Sequence, residues 1–344
     1  MRHTLCHLLS ALALVVSASA GDAVLDLVQM KEKGAANRWI ISETAEEIKW
    51  RNSLDAGTEA TTKRREVRSI TYAFQRVSSA WTQGMEARER GKFAESAELF
   101  GQLATGSREA EQVVGSYEAG GSWELSGNFA EAATAFAKVV GTFPAHPIAL
   151  DARYRLGMVL AQGKETPKAE ELAKKLEEDA KGRLGQQANV RAAAIRAALA
   201  LVKGDNAELR RQISRASFSA ETERPAWLHF NLFMADALRA TKQGKDAVQI
   251  YERMLPQLAD DPANAARVHL GIGLGRVDTD RQGAIVELVT LDALPYGSPE
   301  QKCEARSQAG RLLWAEAQNL QKDPAAATDA VSYTHLTLPT NREV

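Results

Sequence analysis

The sequence predicts a mainly α protein, an α-solenoid of stacked helix hairpins preceded by a small antiparallel β module. Three observations predict it. The stretch Gly91-Lys92-Phe93-Ala94-Glu95 recurs 36 residues later as Gly127-Asn128-Phe129-Ala130-Glu131, and self-similarity at such a period marks stacked helix pairs. Alanine is abundant while aromatics are only 6% of residues, which favours closely packed helices over a β-sandwich. Ahead of residue 74 the pattern changes to short runs of β-branched and aromatic residues.

Residues 1–20 read as a signal peptide. Arg2 supplies positive charge, residues 8–16 are the apolar run, and Ser17-Ala18-Ser19-Ala20 offers small residues for cleavage before Gly21. The run is too short to span a bilayer comfortably, and no later segment is apolar enough to do so. The expected location is therefore the periplasm or the exterior. Cys303 is then the one cysteine left, without a disulfide partner, and is expected to be a small buried residue in a helix.

Residues 21–73 form the β module. Strands are expected over residues 25–31, 38–43, 47–51 and 66–72, with turns at Gly34-Ala35-Ala36-Asn37 and over residues 52–58. Ile48 and Trp50 alternate with charged neighbours, as do Val67 and, after Ser69, Ile70 and Tyr72. This resembles a small, strongly curved SH3-like sheet. A sheet this small is marginal alone and is expected to pack against the first helices.

Residues 74–330 form the solenoid. A small residue midway along each first helix (Gly84, Gly120, Gly157, Ala235) is expected to let the second helix approach closely. A small residue on the second helix (Ser96, Ala132, Ala169, Ala247) is expected to face it, at an interaxial distance of about 8–10 Å. Gly91 and Gly127 are expected to end first helices in the left-handed conformation. Pro144 ends a second helix, since it has no N–H to donate. Phe100, Phe136 and Tyr251 are expected to fill the space between successive hairpins.

These residues resemble the tetratricopeptide repeat (TPR) family, in the form found in exported bacterial proteins. The resemblance covers about three-quarters of the chain. It is strongest over residues 113–144, clear over 148–181 and 225–261, and weaker over 190–218, 264–294 and from 298 onward. A generic helical bundle is the alternative, and in the weak units related solenoid helix pairs are nearly indistinguishable from these repeats. The resemblance implies a right-handed superhelix whose first helices line a concave groove. The binding candidates carried onto this sequence are Trp81, Arg88, Tyr117, Glu124, Tyr154, His229, Asp236 and Arg239. Met85, Glu89, Leu125, Met158 and Leu232 lie at neighbouring groove positions. For Trp81, Tyr117 and Tyr154, packing between repeats is an equal alternative.

Little else points to chemistry. Gly271-Ile272-Gly273-Leu274-Gly275 lacks the Gly-Lys-Ser/Thr ending of a phosphate loop and follows no strand, so small residues at a helix crossing are expected instead. His146, His229 and His269 are scattered, and no zinc-ligand spacing or Gly-x-Ser-x-Gly elbow is present. No metal and no cofactor is expected. A net charge of −1 gives no basic field for nucleic acid. The function this implies is a non-catalytic scaffold of the cell envelope or exterior that binds a protein or peptide on the concave face. The alternative is the superhelical domain of an enzyme whose catalytic domain lay beyond residue 330. That alternative arises because residues 331–344 do not continue the repeat. Val331-Ser332-Tyr333-Thr334-His335-Leu336-Thr337-Leu338-Pro339-Thr340 resembles a translated sequencing adapter.

Overall fold

The computed structural model describes residues 25–322, apart from 54–56, 183 and 296. The signal-peptide reading and the reading of residues 331–344 therefore concern residues outside the described ones. The chain divides after Ala216 into two compact units.

The first unit opens with five antiparallel strands: β1 (Asp26–Met30), β2 (Ala35–Glu43), β3 (Glu47–Arg51), β4 (Ala60–Lys63) and β5 (Val67–Thr71). Their order in the sheet is β4-β3-β2-β1-β5, so β5 returns across the module to pair with β1. Register shifts after Ile40 on β2 and after Gln29 on β1 bend the sheet, as bulges do. A 3-10 turn, Arg64–Glu66, separates β4 from β5. The small curved antiparallel module expected from the sequence is present. Strand β4 was not expected. Its Ala-Thr-Thr-Lys has no bulky apolar residue because it is an edge strand with little surface to bury. Ahead of β2, Gly34 takes a φ of +76°, and its carbonyl accepts the Met30 N–H at 2.9 Å.

The inner face of the sheet does not close a core by itself. Val28, Ile40, Ile48, Val67 and Tyr72 pack with Leu103, Ala110 and Val114 of the helices that follow. Two buried carboxylates fasten the same seam. Asp26 accepts the backbone N–H groups of Ala73 at 2.7 Å and Ile40 at 3.1 Å, and pairs with Arg108. Glu43 accepts the Tyr72 hydroxyl at 2.6 Å and Arg64 Nε at 2.8 Å. A buried carboxylate is tolerable only when its lone pairs are taken up in this way.

A short helix, α1 (Phe74–Val77), leads into hairpins: α2 (Ser79–Glu89) with α3 (Phe93–Leu103), α4 (Glu109–Leu125) with α5 (Phe129–Thr142), α6 (Ile148–Gln162) with α7 (Thr166–Asp179), and α8 (Gly185–Lys203) with α9 (Asn206–Arg215). The second unit continues with α10 (Arg224–Ala240) and α11 (Gly244–Met254), α12 (Pro262–Arg276) and α13 (Arg281–Ala293), and α14 (Pro299–Lys322). Starts and stops follow local chemistry. Ser78, Asp205, Asp261 and Asp280 accept backbone N–H groups of the first turns they precede. Gly91 and Gly127 take φ values of +73° and +78° at hairpin corners, and α5 ends two residues before Pro144.

Interhelical packing differs from the expected pairing of small residues. A Cβ on Gly84 would lie 2.9 Å from the Phe100 ring, and one on Gly120 2.8 Å from the Phe136 ring. The glycines are thus covered by an aromatic one turn beyond Ser96 and Ala132. Gly157 instead meets Ile195 of the next hairpin. Tyr251 does bridge hairpins, lying against Gly271 of α12. The glycine run on α12 is a crossing surface, with Gly273 against Leu288 and Gly275 against Val248. Cys303 is exposed, contrary to the expected burial. The core-facing stripe of α14 is Ala305, Ala309 and Leu312, and Cys303 falls off that stripe.

Candidate functional site

In the first unit, the first helices of successive hairpins are tied to each other by side chains. Arg88 of α2 donates to the Glu118 carboxylate of α4 at 2.6 Å and to the Ser122 hydroxyl, and its guanidinium lies over the Phe100 ring. Glu124 of α4 accepts Arg155 of α6 at 2.5 and 2.8 Å, with both side chains nearly buried. The Tyr117 hydroxyl donates to Asp151 of α6, and its ring meets the edge of Phe136 at 5.7 Å. Burial and the Asp151 charge hold the Tyr117 hydroxyl well above its ordinary pKa, so it remains a donor. Arg191 of α8 lies 3.7 Å from the same Asp151.

These contacts reassign much of the expected binding set. Tyr154 and Met158 are fully buried and have no surface to offer a partner. Trp81 is wedged between Phe74 and Phe100, at 5.5 and 5.4 Å, in the seam beneath the β module. Tyr117, Arg88 and Glu124 have partners one repeat away. Of the neighbouring positions, Leu232 is buried and Leu125 is exposed.

The second unit is different. An open groove of about 600 Å³ runs along the first helices α10, α12 and α14. Asp236 and Arg239 of α10, both in the expected set, line it. Across from them stand Arg267 and Leu270 of α12 and Gln301 of α14, with Phe233 also in the wall. Asp236 is the hub: it accepts the Tyr251 hydroxyl, accepts Arg267 at 2.5 Å, and lies 3.9 Å from Arg239. Burial and the Asp236 charge raise the Tyr251 pKa, which keeps that hydroxyl a donor too. His229 is half-buried on α10 and is not part of the groove wall.

Comparison with known proteins bears on the helical part. A family model for the tetratricopeptide repeat matches residues 82–147 and 126–183, the span of α2 to α7 and their corners. Residues 82–183 are tetratricopeptide repeats. No curated relative matches the sequence. Among solved structures, the chain is similar to a tetratricopeptide repeat protein from Parabacteroides merdae ATCC 43184, at 17% identity and a TM-score of 0.42, covering 69% of this chain and 88% of that one. It is also similar to TPR-like repeats of a putative kinesin light chain from Podosopora anserina, at 16% identity and a TM-score of 0.33, covering 70% of this chain and 99% of that one.

In both units, the residues that sequence reading missed are the partners of those it found. Arg155 lies 31 residues after Glu124, and Arg267 lies 31 residues after Asp236. A search for opposite charges at a spacing slightly under one repeat finds both pairs. Phe233, Leu270 and Gln301 carry no comparable signal, because only the groove's shape selects them. Among the described residues, no three His, Cys, Asp or Glu side chains come together as a metal site. His269 pairs with Glu287 at 3.0 Å, and no described helix is long and apolar enough to cross a membrane.

Proposed function

We propose that this protein is a non-catalytic scaffold that holds a protein partner against the first-helix face of its second unit. The repeats themselves support protein–protein interaction as the activity. The observation that carries the choice of face is the groove on α10, α12 and α14, where two of the expected anchors, Asp236 and Arg239, meet apolar side chains in an open cleft. Clefts of this size, apolar with a few convergent polar groups, are where ligands dock. On the first unit the corresponding face is occupied by its own ion pairs, so it offers fewer anchors. Aromatic and arginine side chains carry most of the energy in interfaces of this kind. Export through residues 1–20 belongs to the same reading and places the partner in the cell envelope or outside the cell.

Photo-crosslinking tests the face. A benzophenone amino acid at Phe233 samples the groove, and one at Thr134 on α5 samples a second-helix surface of the first unit. Partner adducts from Phe233 and not from Thr134 are the expected result. Adducts from Thr134 alone would move the binding surface to the second helices. Mass spectrometry of exported material is expected to begin at Gly21, and an intact Met1 outside the cytoplasm would remove the export argument.

A further inference from the structure

We infer that the α10–α12–α14 groove takes an acidic segment of its partner, an Asp or Glu side chain beside an aliphatic one; this rests on the protein-binding reading above. Donors outnumber acceptors along the groove wall. Arg239 and Arg267 both line the groove, and Asp236 is its one acidic wall residue. That carboxylate is already engaged by Arg267 at 2.5 Å and by the Tyr251 hydroxyl, while Arg239 stands 3.9 Å from it and donates to the Tyr251 hydroxyl. The Arg239 Nε is buried and has no hydrogen-bond partner. A guanidinium presents five N–H donors and no acceptor, and a buried donor left unmade is costly.

The other polar wall residue points the same way. The Gln301 Oε1 accepts the Ser298 N–H at 2.9 Å, so the amide's remaining function is its NH2 donor. The groove therefore offers donors from three side chains and has a surplus of positive charge. A carboxylate satisfies both, and two guanidiniums can grip it in a planar, two-pronged fashion. Phe233, Leu270 and Leu274 supply the apolar wall beside these donors. About 600 Å³ leaves room for an aliphatic side chain next to the carboxylate. A basic segment would meet two like charges, and a purely apolar one would leave the guanidinium N–H groups that face the groove without an acceptor.

The test is selection from a library of random 12-residue peptides, fused through their C-termini to a phage coat protein so that no free C-terminal carboxylate is displayed. The full chain is the bait. Enriched peptides are expected to carry Asp or Glu beside Leu, Ile or Val. A synthetic copy of one, amidated at its C-terminus, is expected to bind at least tenfold more weakly to Arg239→Gln and to Arg267→Gln, and to weaken as salt rises. Arg267→Gln also removes a partner of Asp236, so circular dichroism accompanies it; Arg239→Lys, which keeps the charge but loses the fork, gives a second reading on a fold less disturbed. Peptides without acidic residues whose binding is lost in Phe233→Ala would overturn the acidic class and leave the groove as the site. Peptides whose binding survives Arg239→Gln, Arg267→Gln and Phe233→Ala alike would overturn the groove itself. No enrichment over a bait-free control would show that the groove does not take a linear acidic segment.

Discussion

At the scale of single residues, the hairpin corners show what a side chain costs in the wrong backbone conformation. Gly91 and Gly127 occupy the left-handed region at the corners of α2/α3 and α4/α5. Lys164 and Lys242, with φ values of 63° and 62°, stand at the equivalent corners of α6/α7 and α10/α11. An L-residue with a Cβ is strained there by about 1–2 kcal/mol, partly offset by the entropy a glycine loses on folding. Lys242→Gly is therefore expected to raise the stability of the second unit by about 0.5–1 kcal/mol, read as a higher urea midpoint. A lower midpoint would mean that the lysine makes a compensating contact. The same scale explains the fate of the binding candidates. Whether Tyr117 is an anchor or a strut depends on whether Asp151 lies within reach, and the two are 34 residues apart in sequence.

Among the elements, two junctions matter most. Ala132 of α5 is fully buried among Val113, Phe136, Val139 and Ala152, where α4, α5 and α6 meet. Ala132→Phe is expected to overpack that junction and destabilise the first unit by about 1–3 kcal/mol, with α6 loosening as well as α5. An unchanged thermal midpoint would contradict the packing. The second junction is the seam between the β module and the helices. There His146 is buried, its Nδ1 accepts the Ile148 N–H at 3.2 Å, and its Nε2 lies 4.0 Å from Glu43. Burial lowers its pKa, against the opposing pull of Glu43 and with the help of Arg64. A histidine held neutral in the folded state stabilises above its unfolded pKa of about 6.5, and that contribution is lost as pH falls below it. Glu109, whose pKa burial raises, works in the opposite sense. The comparison that isolates the histidine is His146→Asn, which keeps an acceptor for Ile148 but does not titrate. Between pH 7 and 5 the wild type is expected to lose more stability than the variant. Parallel curves would assign the acid sensitivity elsewhere.

For the whole molecule, the relevant fact is the division after Ala216. The segment between α9 and α10 is not helical, and Ser217, Glu221 and Thr222 within it are exposed. Domain boundaries fall in such segments, and proteases find them. Limited trypsin digestion is expected to make its first cut within the repeats after Arg215, because residues 216–223 hold no Lys or Arg and Arg224 precedes Pro225, releasing two fragments that each keep helical circular dichroism. A first cut inside α4 to α8 would contradict the division. Each unit contains a buried cluster of its own, Val113 to Val159 in one and Ala266 to Leu312 in the other, so each has the core that separate folding requires.

The helix hairpins, their glycine corners and the curved β module are legible in the sequence alone. These depend on local rules: a 3.6-residue or 2-residue period, a capping side chain, a glycine where φ must be positive. Such rules act within a few residues and are legible in one repeat, and the 36-residue recurrence multiplies the signal. Which groove positions are free depends instead on how the repeats pack together. Arg88, Tyr117 and Glu124 occupy the same kinds of positions as Asp236 and Arg239, but Glu118, Asp151 and Arg155 reach them from the next repeat and close the surface. In the second unit the same geometry leaves one carboxylate between two guanidiniums and a cleft beside them. Contacts between repeats join side chains some 30 residues apart, and their outcome depends on the distance between helices, which no local pattern encodes.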